Sequence, residues 1–413
     1  MGLTVTGGIG GIDAFLEDLA HIARLLLATS ETVSEAVRET EFARLEIGGC
    51  SGLDLGAANH QLDAILANLT GPTQDALHAA DDLRRLGQFV GDAARDYEKS
   101  DNDVGTRLEH ALIALPGAVA NSAVSFLKHG DPLVALQTLV TSEPDATNLV
   151  AAAGFALHLP ALASRWVADG NPVVTDRLPD VAAVAVMAPR STTDLMAELA
   201  ERNDGDSGEI SVSFLIGHGQ RHVIVDIPGT KSWSPLHTPD ITSIATNVRA
   251  ISGAETSYEK GVLEAMAQAG VTAQDDVMLV GHSEGGMVAV AAARDSAGKF
   301  RVSHVVTAGA PVGRFVGQVP KSVRVLALEN RHDVVPNLDG RANPDRTNVV
   351  TVIGGPDRGS IGANHHLEDT YEPLAKQVDA STDPSIRDFE ASSAEFYDQD
   401  FMQTEKFVIT REY

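Results

Sequence analysis

The chain has 413 residues, 43% of them hydrophobic and 21% charged, which is the composition of a globular protein of two or three domains rather than of a disordered chain. Its formal net charge of −26 argues against binding to nucleic acid or to an anionic membrane, because phosphate-rich surfaces require a basic patch and no run of lysine or arginine occurs. A single cysteine, Cys50, excludes an internal disulfide and a cysteine-rich metal site.

The amino-terminal third of the chain has the periodicity of helices. From residue 12 onward, apolar side chains recur at spacings of three and four, which places them along one face of a long helix. These residues are Phe15, Leu16, Leu19, Ile22, Leu26, Val33 and Val37. The glycine-rich segment "EIGGCSGLD" predicts a loop, and two further helices reach about Tyr97. We predict an all-α domain over residues 1–127, formed as a bundle or hairpin of antiparallel helices.

The amino terminus does not predict export through a signal peptide. It lacks the basic start, the apolar segment and the small-residue cleavage site of such a peptide. The most apolar stretches, "ALIALPGAVANSAVSFL" and "LVAAAGFALHLPALAS", are interrupted by proline or polar residues. They fall short of a membrane helix, which favours buried helices over a stable membrane span.

The pattern changes to strands in the second half of the chain. Residues 128–180 mix short apolar patches with Pro, Gly and Asp and predict a helical connector. Beyond it, "EISVSFLIG" and "RHVIVDIPG" predict a hairpin, and "DVMLVGHS", "VSHVVTAGAP", "VRVLALEN" and finally "NVVTVIGG" predict strands separated by helices. This alternation predicts an α/β domain over residues 181–413, with a parallel sheet covered on both faces.

The stretch "VMLVGHSEGGMVAVAAA", residues 277–293, requires a sharp turn at a serine. The apolar run before Gly281 predicts a buried strand, whereas the small residues after Gly286 predict a helix. Glycines two positions before and after Ser283 leave room for strand and helix to approach closely. We expect the Ser283 hydroxyl to be exposed at the carboxyl end of the strand, beside backbone N–H groups that can bind an oxyanion.

This G-x-S-x-G pattern resembles the nucleophile elbow of the α/β-hydrolases. The resemblance implies that Ser283 is a catalytic nucleophile and that residues 181–413 have an α/β-hydrolase fold with a mostly parallel sheet. A structural glycine-rich turn is the alternative for the motif taken alone. In this family an acid and then a histidine follow the serine, each in a loop beyond the carboxyl end of a strand.

Candidates for the acid and the histidine occur in that order. Asp333 lies a few residues past the predicted strand "VRVLALEN", and Asp339 is the alternative in the same loop. Two histidines, His365 and His366, follow "NVVTVIGG" just before a predicted helix. We favour His366, because "HLEDTY" resembles the His-x-x-x-x-Tyr arrangement of related lipases, in which the tyrosine packs behind the imidazole. An ordinary turn aspartate and a pair of helix-capping histidines are the alternatives.

An oxyanion hole requires a second backbone donor from a loop after an earlier strand. In "VIVDIPGT" the segment Pro-Gly-Thr stands where fungal-type lipases have an Arg-Gly-Thr loop, and "TAGAPVG" resembles their Phe-Gly-x-Pro segment. The Thr230 N–H, with its hydroxyl, is therefore the candidate partner of the Glu284 N–H. The Glu284 side chain is either an acid that disfavours anionic substrates or a solvated helix residue. Trp233 and Pro235 are candidates for an apolar acyl pocket or for core packing.

The third predicted helix ends in "ARDYEKSD", where Tyr97 precedes Asp101 by four residues. This spacing resembles the Tyr-x-x-x-Asp/Glu signal of helical-hairpin substrates of type VII secretion, although "IGGCSG" replaces the Trp-x-Gly bend of the small substrates. The resemblance implies a type VII-like export route, with a cytoplasmic location as the alternative. It also implies a helical partner protein that binds residues 1–127, whereas a lid or packing domain is the other interpretation.

Together the motifs predict a serine esterase or lipase-like hydrolase that acts on a small-molecule or lipid ester. Its triad would be Ser283, His366 and Asp333, with an acyl-enzyme and oxyanion donors from Thr230 and Glu284. No cofactor is expected, and no pair of histidines has the setting of a metal site. Amidase, thioesterase and acyltransferase activities are compatible with the same triad. A secreted or toxin-associated interaction protein, whose hydrolase fold mainly supports binding, is the alternative from another class.

Overall fold

The computed structural model describes residues 2–49, residues 73–95 except 75, 89, 93 and 94, and residues 169–413 except 178–185, 218, 232–238, 252 and 297. The chain divides into two compact units. One comprises Ala14–Arg107, and the other comprises Met1–Asp13 together with Leu108–Tyr413. The candidate secretion signal, Tyr97 and Asp101, lies outside the described residues, as does Cys50.

The first unit contains the predicted long helix. Helix α1, Ile12–Gly49, has 38 residues and extends into the segment "EIGGCSGLD" that was expected to be a loop. Helical residues follow between 73 and 95. The predicted helix around Leu62–Leu69 lies outside the described residues.

The helical segment between 73 and 95 runs antiparallel to α1. The hydroxyl of Ser30 donates to the carbonyl oxygen of Ala80 at 2.7 Å, whereas Gly87 lies against Ala23, such that a Cβ at Gly87 would be 3.1 Å from the Ala23 carbonyl oxygen. Ala23, Ser30 and Val37 are all buried, at the seven-residue spacing that keeps side chains on one face of a helix. The predicted antiparallel pairing is therefore confirmed for this pair of helices.

The second unit is built on a ten-stranded sheet within the described residues, with the order β1-β9-β8-β7-β6-β5-β4-β10-β2 and with β3 paired to β10. Strands β5 to β9 are parallel to one another, and the remaining pairs are antiparallel. The strands are β1 Thr4–Gly7, β2 Asn171–Arg177, β3 Val186–Met187, β4 Glu209–Ile216, β5 His222–Ile227, β6 Asp276–His282, β7 Arg301–Ala308, β8 Arg324–Asn330, β9 Val349–Gly354 and β10 Phe401–Glu412.

Helices cover both faces of this sheet. They are α2 Thr192–Asn203, α3 Ile244–Ile251, α4 Ser257–Gln268, α5 Glu284–Asp295, α6 Ile361–Asn364, α7 Glu372–Asp379 and α8 Pro384–Tyr397. Side chains of α3, α4 and α5 share one apolar core with Val277 and Leu279 of β6, whereas α2, α7 and α8 share the other with Met278 and Val280. Successive residues of a strand face opposite sides of a sheet, so β6 is buried on both sides.

The structure confirms the predicted hairpin, which is β4 and β5, and the parallel arrangement of the following strands. Four strands were not predicted, and one of them is the two-residue strand β3, Val186–Met187. Strand β1 lies within the range predicted as the helical domain, 1–127, and β2 within the predicted connector, 128–180. Strand β10 comes after "NVVTVIGG", the segment expected to be last, and pairs with β2, β3 and β4.

The described helices include none whose length and apolar content would suffice to cross a lipid bilayer.

Candidate active site at the carboxyl edge of the sheet

Ser283 occupies a strained turn between β6 and α5. Its backbone angles are φ 53° and ψ −119°, and it is the non-glycine residue with positive φ in the described part of the chain. The Ser283 N–H donates to the carbonyl oxygen of Ala308 at 2.9 Å, and the Ser283 carbonyl accepts from the N–H groups of Gly286 and Met287. Such a conformation persists only where its surroundings enforce it, and it is frequent at functional sites. The predicted strand-turn-helix geometry is confirmed.

The two glycines of the motif are required by close backbone contacts. A Cβ at Gly281 would lie 2.3 Å from the carbonyl oxygen of Gly285, and a Cβ at Gly285 would lie 1.9 Å from that of Ile227. Both distances are far below van der Waals contact. The glycines thus allow α5 to start directly against the ends of β5 and β6.

Asp333 forms a buried hydrogen-bonding centre in the loop after β8. Its Oδ2 lies 2.6 Å from Nδ1 of His365 and accepts from the Tyr371 hydroxyl at 2.5 Å. Its Oδ1 accepts from the Val335 N–H at 2.9 Å. The carboxylate is thereby fixed by three groups and is oriented toward one imidazole.

The histidine that contacts this acid is His365, not the favoured His366. The side chain of His365 is 19% exposed, whereas that of His366 is 58% exposed and lies 3.9 Å from the carboxylate of Asp369. The reason is the local backbone. Helix α6 ends at Asn364, and the next residue, His365, keeps helical backbone angles. The chain then becomes extended at His366 (φ −76°, ψ 138°) before a π-helical turn over Leu367–Tyr371. The extended residue directs its side chain to solvent.

The tyrosine in "HLEDTY" does lie next to the imidazole that contacts Asp333. The ring centroids of His365 and Tyr371 are 6.4 Å apart, with the planes at 89°. The histidine that contacts Asp333 and the tyrosine beside it therefore have the spacing His-x-x-x-x-x-Tyr, one residue longer than the lipase-like pattern. Tyr371 is completely buried and contacts both members of the pair, since its hydroxyl also donates to Asp333.

Asp339, the alternative acid, has a structural role. It is completely buried, and its carboxylate accepts from the backbone N–H groups of Arg314 at 3.0 Å and Arg341 at 3.2 Å. Burial raises the pKa of Asp339 to about 6, although these amide donors oppose the shift. Asp339 thus connects the loop after β7 to the loop after β8, and it is Asp333 that contacts a histidine.

His282, beside the nucleophile candidate, connects the Ser283 turn to the histidine loop. Its Nε2 lies 3.0 Å from the carbonyl oxygen of His365, and the two rings lie 4.5 Å apart between centroids. Because a carbonyl only accepts, Nε2 of His282 carries the hydrogen. Burial, followed by the neighbouring His365, lowers the pKa of His282 well below its usual range. The imidazole is therefore a neutral donor that holds the His365 backbone.

The loop after β5, Pro228–Thr230, lies beside Ser283. A Cβ at Gly229 would be 3.1 Å from the Cβ of Ser283. The Gly229 N–H donates to Oδ1 of Asn203 at 3.2 Å, and the Tyr258 hydroxyl donates to the Pro228 carbonyl at 3.3 Å. The structure thus brings the Thr230 segment to the serine turn, as the sequence predicted. Trp233 and Pro235 lie outside the described residues.

The burial of the Glu284 side chain contradicts one of its two sequence-based interpretations. The side chain is completely buried, so it is not a solvated helix residue. Burial raises the pKa of Glu284 well above its usual range, although the Thr230 hydroxyl opposes the shift. Its Oε2 accepts from the hydroxyl of Thr230 at 2.9 Å. No local pattern predicts this contact, because the residue is a glutamate in the first turn of a helix, where acids are usually solvated.

The described residues contain no group of three or more His, Cys, Asp or Glu side chains that could hold a metal ion.

The chain is an α/β protein with a large central sheet, parallel at its centre, and a pair of antiparallel helices in a separate unit. No family model matches its sequence, and no curated protein is detectably similar. Among solved structures, the crystal structure of the gene lin2722 products from Listeria innocua is similar, with 13% sequence identity, 49% of this chain and 89% of that chain covered, and a TM-score of 0.23. That similarity is too low to bear on function.

Proposed function

We propose that the protein is a serine hydrolase of the α/β-hydrolase type that cleaves carboxylic esters. Ser283 is the nucleophile, His365 the general base and Asp333 the carboxylate that orients the base. The observation that carries the proposal is the 2.6 Å contact between His365 Nδ1 and Asp333 Oδ2. A buried aspartate with an imidazole partner, at the same edge of the sheet as a serine in a strained strand-to-helix turn, is the constellation of nucleophilic serine catalysis.

The hydrogen bond between His365 and Asp333 sets the tautomer of the base. A carboxylate only accepts, so the hydrogen of the neutral imidazole is on Nδ1, and Nε2 is free to accept a proton. As the Ser283 oxygen attacks the acyl carbonyl carbon, Nε2 takes the hydroxyl proton. The resulting imidazolium is stabilised by Asp333, and it then protonates the departing alcohol as the acyl-enzyme forms.

The oxyanion of the tetrahedral intermediate would accept hydrogen bonds from the backbone N–H groups of Thr230 and Glu284. The Glu284 N–H belongs to the first residue of α5, where the free amides of the helix favour negative charge. Water activated by His365 then attacks the acyl-enzyme, releases the carboxylic acid and regenerates Ser283. The overall reaction consumes one water and yields an acid and an alcohol.

Lipid-like esters are the proposed substrate class, as the resemblance to lipases implies, and no cofactor takes part. The triad does not specify the leaving group, so thioester, amide and acyl-transfer reactions are tested with the same protein. The helical unit is proposed to bind a helical partner protein.

Labelling with a fluorophosphonate probe tests this proposal, because the probe phosphorylates an activated serine. We expect wild-type protein to be labelled, Ser283→Ala and His365→Ala to lose labelling, and His366→Ala to retain it as the matched control. p-Nitrophenyl esters of increasing acyl length then define the acyl preference. A folded wild-type protein that neither reacts with the probe nor cleaves any ester would refute the proposal and favour an interaction protein.

A further inference from the structure

The side chain of Glu284 has no part in the proposed reaction, which uses only its backbone N–H. Yet this carboxyl lies at the first residue after Ser283 and is completely buried. Its Oε2 accepts from Thr230, and its Oε1 has no hydrogen-bond partner in the described part of the chain. Burying a charged carboxyl that has one hydrogen bond is unfavourable. The presence of a glutamate at this buried position therefore requires an explanation.

The partner of Glu284 is the hydroxyl of the residue proposed to supply the other oxyanion donor. Thr230 Oγ1 donates to Glu284 at 2.9 Å and accepts from Nδ2 of Asn247 at 2.7 Å. The single hydroxyl hydrogen is thus directed at the glutamate. A continuous chain of hydrogen bonds runs from α3 through the Pro228–Thr230 loop to the start of α5.

Burial favours the neutral form of the Glu284 carboxyl, and that form suits this contact. Burial raises its pKa well above the usual range, the Thr230 hydroxyl and Arg411 oppose the shift, and Asp240 and Asp169 add to it. A neutral carboxyl retains an acceptor oxygen for Thr230 and has nearly the shape of a glutamine amide. Glutamine at position 284 should therefore keep the hydrogen bond from Thr230, whereas an apolar side chain of similar size should lose it.

We propose that the Glu284 carboxyl is a positioning group for the oxyanion hole, which holds the Thr230 hydroxyl and thereby fixes the Pro228–Thr230 loop against the Ser283 turn. This inference rests on the proposed function. The loop is also fixed at Gly229 by Asn203 and at Pro228 by Tyr258. Of these three side-chain hydrogen bonds, the one with Glu284 connects the loop to α5, which carries the other donor. Without it, the two N–H groups are no longer held at the spacing that an oxyanion requires.

The test uses two disruptive variants, Glu284→Leu and Thr230→Val. Each removes one side of the contact and leaves both backbone N–H groups in place. They are compared with the conservative variants Glu284→Gln and Thr230→Ser. Because a misplaced or missing oxyanion donor lowers the rate by about 10- to 1,000-fold, we expect both disruptive variants to lose about 10- to 100-fold in kcat and in the rate of fluorophosphonate labelling, with KM little changed. The conservative variants should stay within about threefold, and Glu284→Leu with Thr230→Val should be no slower than either alone.

Glu259→Gln, a change at a buried carboxyl in α4, is the matched control, and it should leave kcat unchanged. Melting curves of each variant identify loss of folding, and Thr230→Val, which alters a half-buried loop residue, keeps the test decisive if Glu284→Leu does not fold. Wild-type labelling rates in both disruptive variants, or in Thr230→Val alone, would overturn the inference and leave the proposed function intact. Absence of labelling in the wild type would instead refute the proposed function.

Discussion

The hydroxyl of Tyr371 donates to Asp333 at 2.5 Å, on the same oxygen that contacts His365. Tyr371 is completely buried, and its hydroxyl also accepts from the Asn330 N–H at 3.3 Å. The Asp333 carboxylate thus accepts from a second side-chain donor, which belongs to the π-helical turn that follows the histidine.

Replacement of this tyrosine tests how much that donor contributes. A hydrogen bond to a charged group contributes about 1.5–3 kcal/mol, so Tyr371→Phe should lower the free energy of unfolding by about that amount, measured by urea denaturation. We expect kcat to fall by about tenfold, since 1.4 kcal/mol of lost orientation corresponds to that factor. Tyr397→Phe, whose buried hydroxyl lies near Thr192 and Ser393, is the control and should leave kcat unchanged. Equal kcat in both variants would contradict a role for Tyr371 in positioning the acid.

The adjacent histidines should differ greatly in their contribution to turnover. His365→Ala removes the proposed base and should lower kcat by about 10³-fold or more, whereas His366→Ala alters an exposed side chain and should change kcat by less than about twofold. Steady-state hydrolysis of a p-nitrophenyl ester measures both. A large loss in His366→Ala alone would assign the base to His366 instead.

Gly285 should tolerate no side chain. A Cβ there would lie 1.9 Å from the Ile227 carbonyl oxygen, so Gly285→Ala forces the start of α5 away from β5, at a cost of about 1–3 kcal/mol or more. We expect a lower Tm and loss of probe labelling at Ser283. Gly362→Ala, at a helical glycine with no atom within 4 Å of the added Cβ, should be neutral or slightly stabilising. Normal labelling of Gly285→Ala would show that the turn is more adaptable than this geometry indicates.

Stability should fall as the pH rises from about 5 to about 8. Burial, together with the neighbouring Asp295, raises the pKa of Glu259 to about 8, above the value of an unfolded glutamate. The folded state therefore binds more protons than the unfolded state across this interval, and the stabilisation is complete at low pH and lost as the pH passes the folded pKa. Glu198, whose pKa burial also raises to about 8, acts in the same direction.

The measurement is the urea midpoint of wild type, Glu259→Gln and Glu264→Gln at pH 5, 6, 7 and 8. Glu259→Gln should show a shallower decline than the wild type, because glutamine does not titrate. Glu264 is exposed on the same helix, α4, and its substitution should leave the slope unchanged. A wild-type stability that rises over this interval would contradict the proposed protonation of Glu259.

The amino-acid sequence by itself determined the parts of this protein that depend on strong local patterns. Continuous apolar runs specify strands β5 to β9, because strands buried on both faces need apolar side chains at every position. The glycines around Ser283 specify the turn, because only residues without Cβ fit where two strand ends and a helix meet. Asp333 and the histidine pair could be located because the loops after parallel strands lie along one edge of the sheet.

Only the tertiary structure decided what depends on contacts distant in sequence or on the exact residue at which a helix ends. Strands β1, β2 and β10 are short or rich in polar residues, and it is their pairing partners that make them strands. That His365 rather than His366 contacts Asp333 depends on a change of backbone conformation between these two adjacent residues. No rule based on sequence spacing can distinguish them. Glu284 is buried and accepts a hydrogen bond from Thr230, 54 positions away along the chain. An acidic residue in a first helical turn carries no local signal of such a contact.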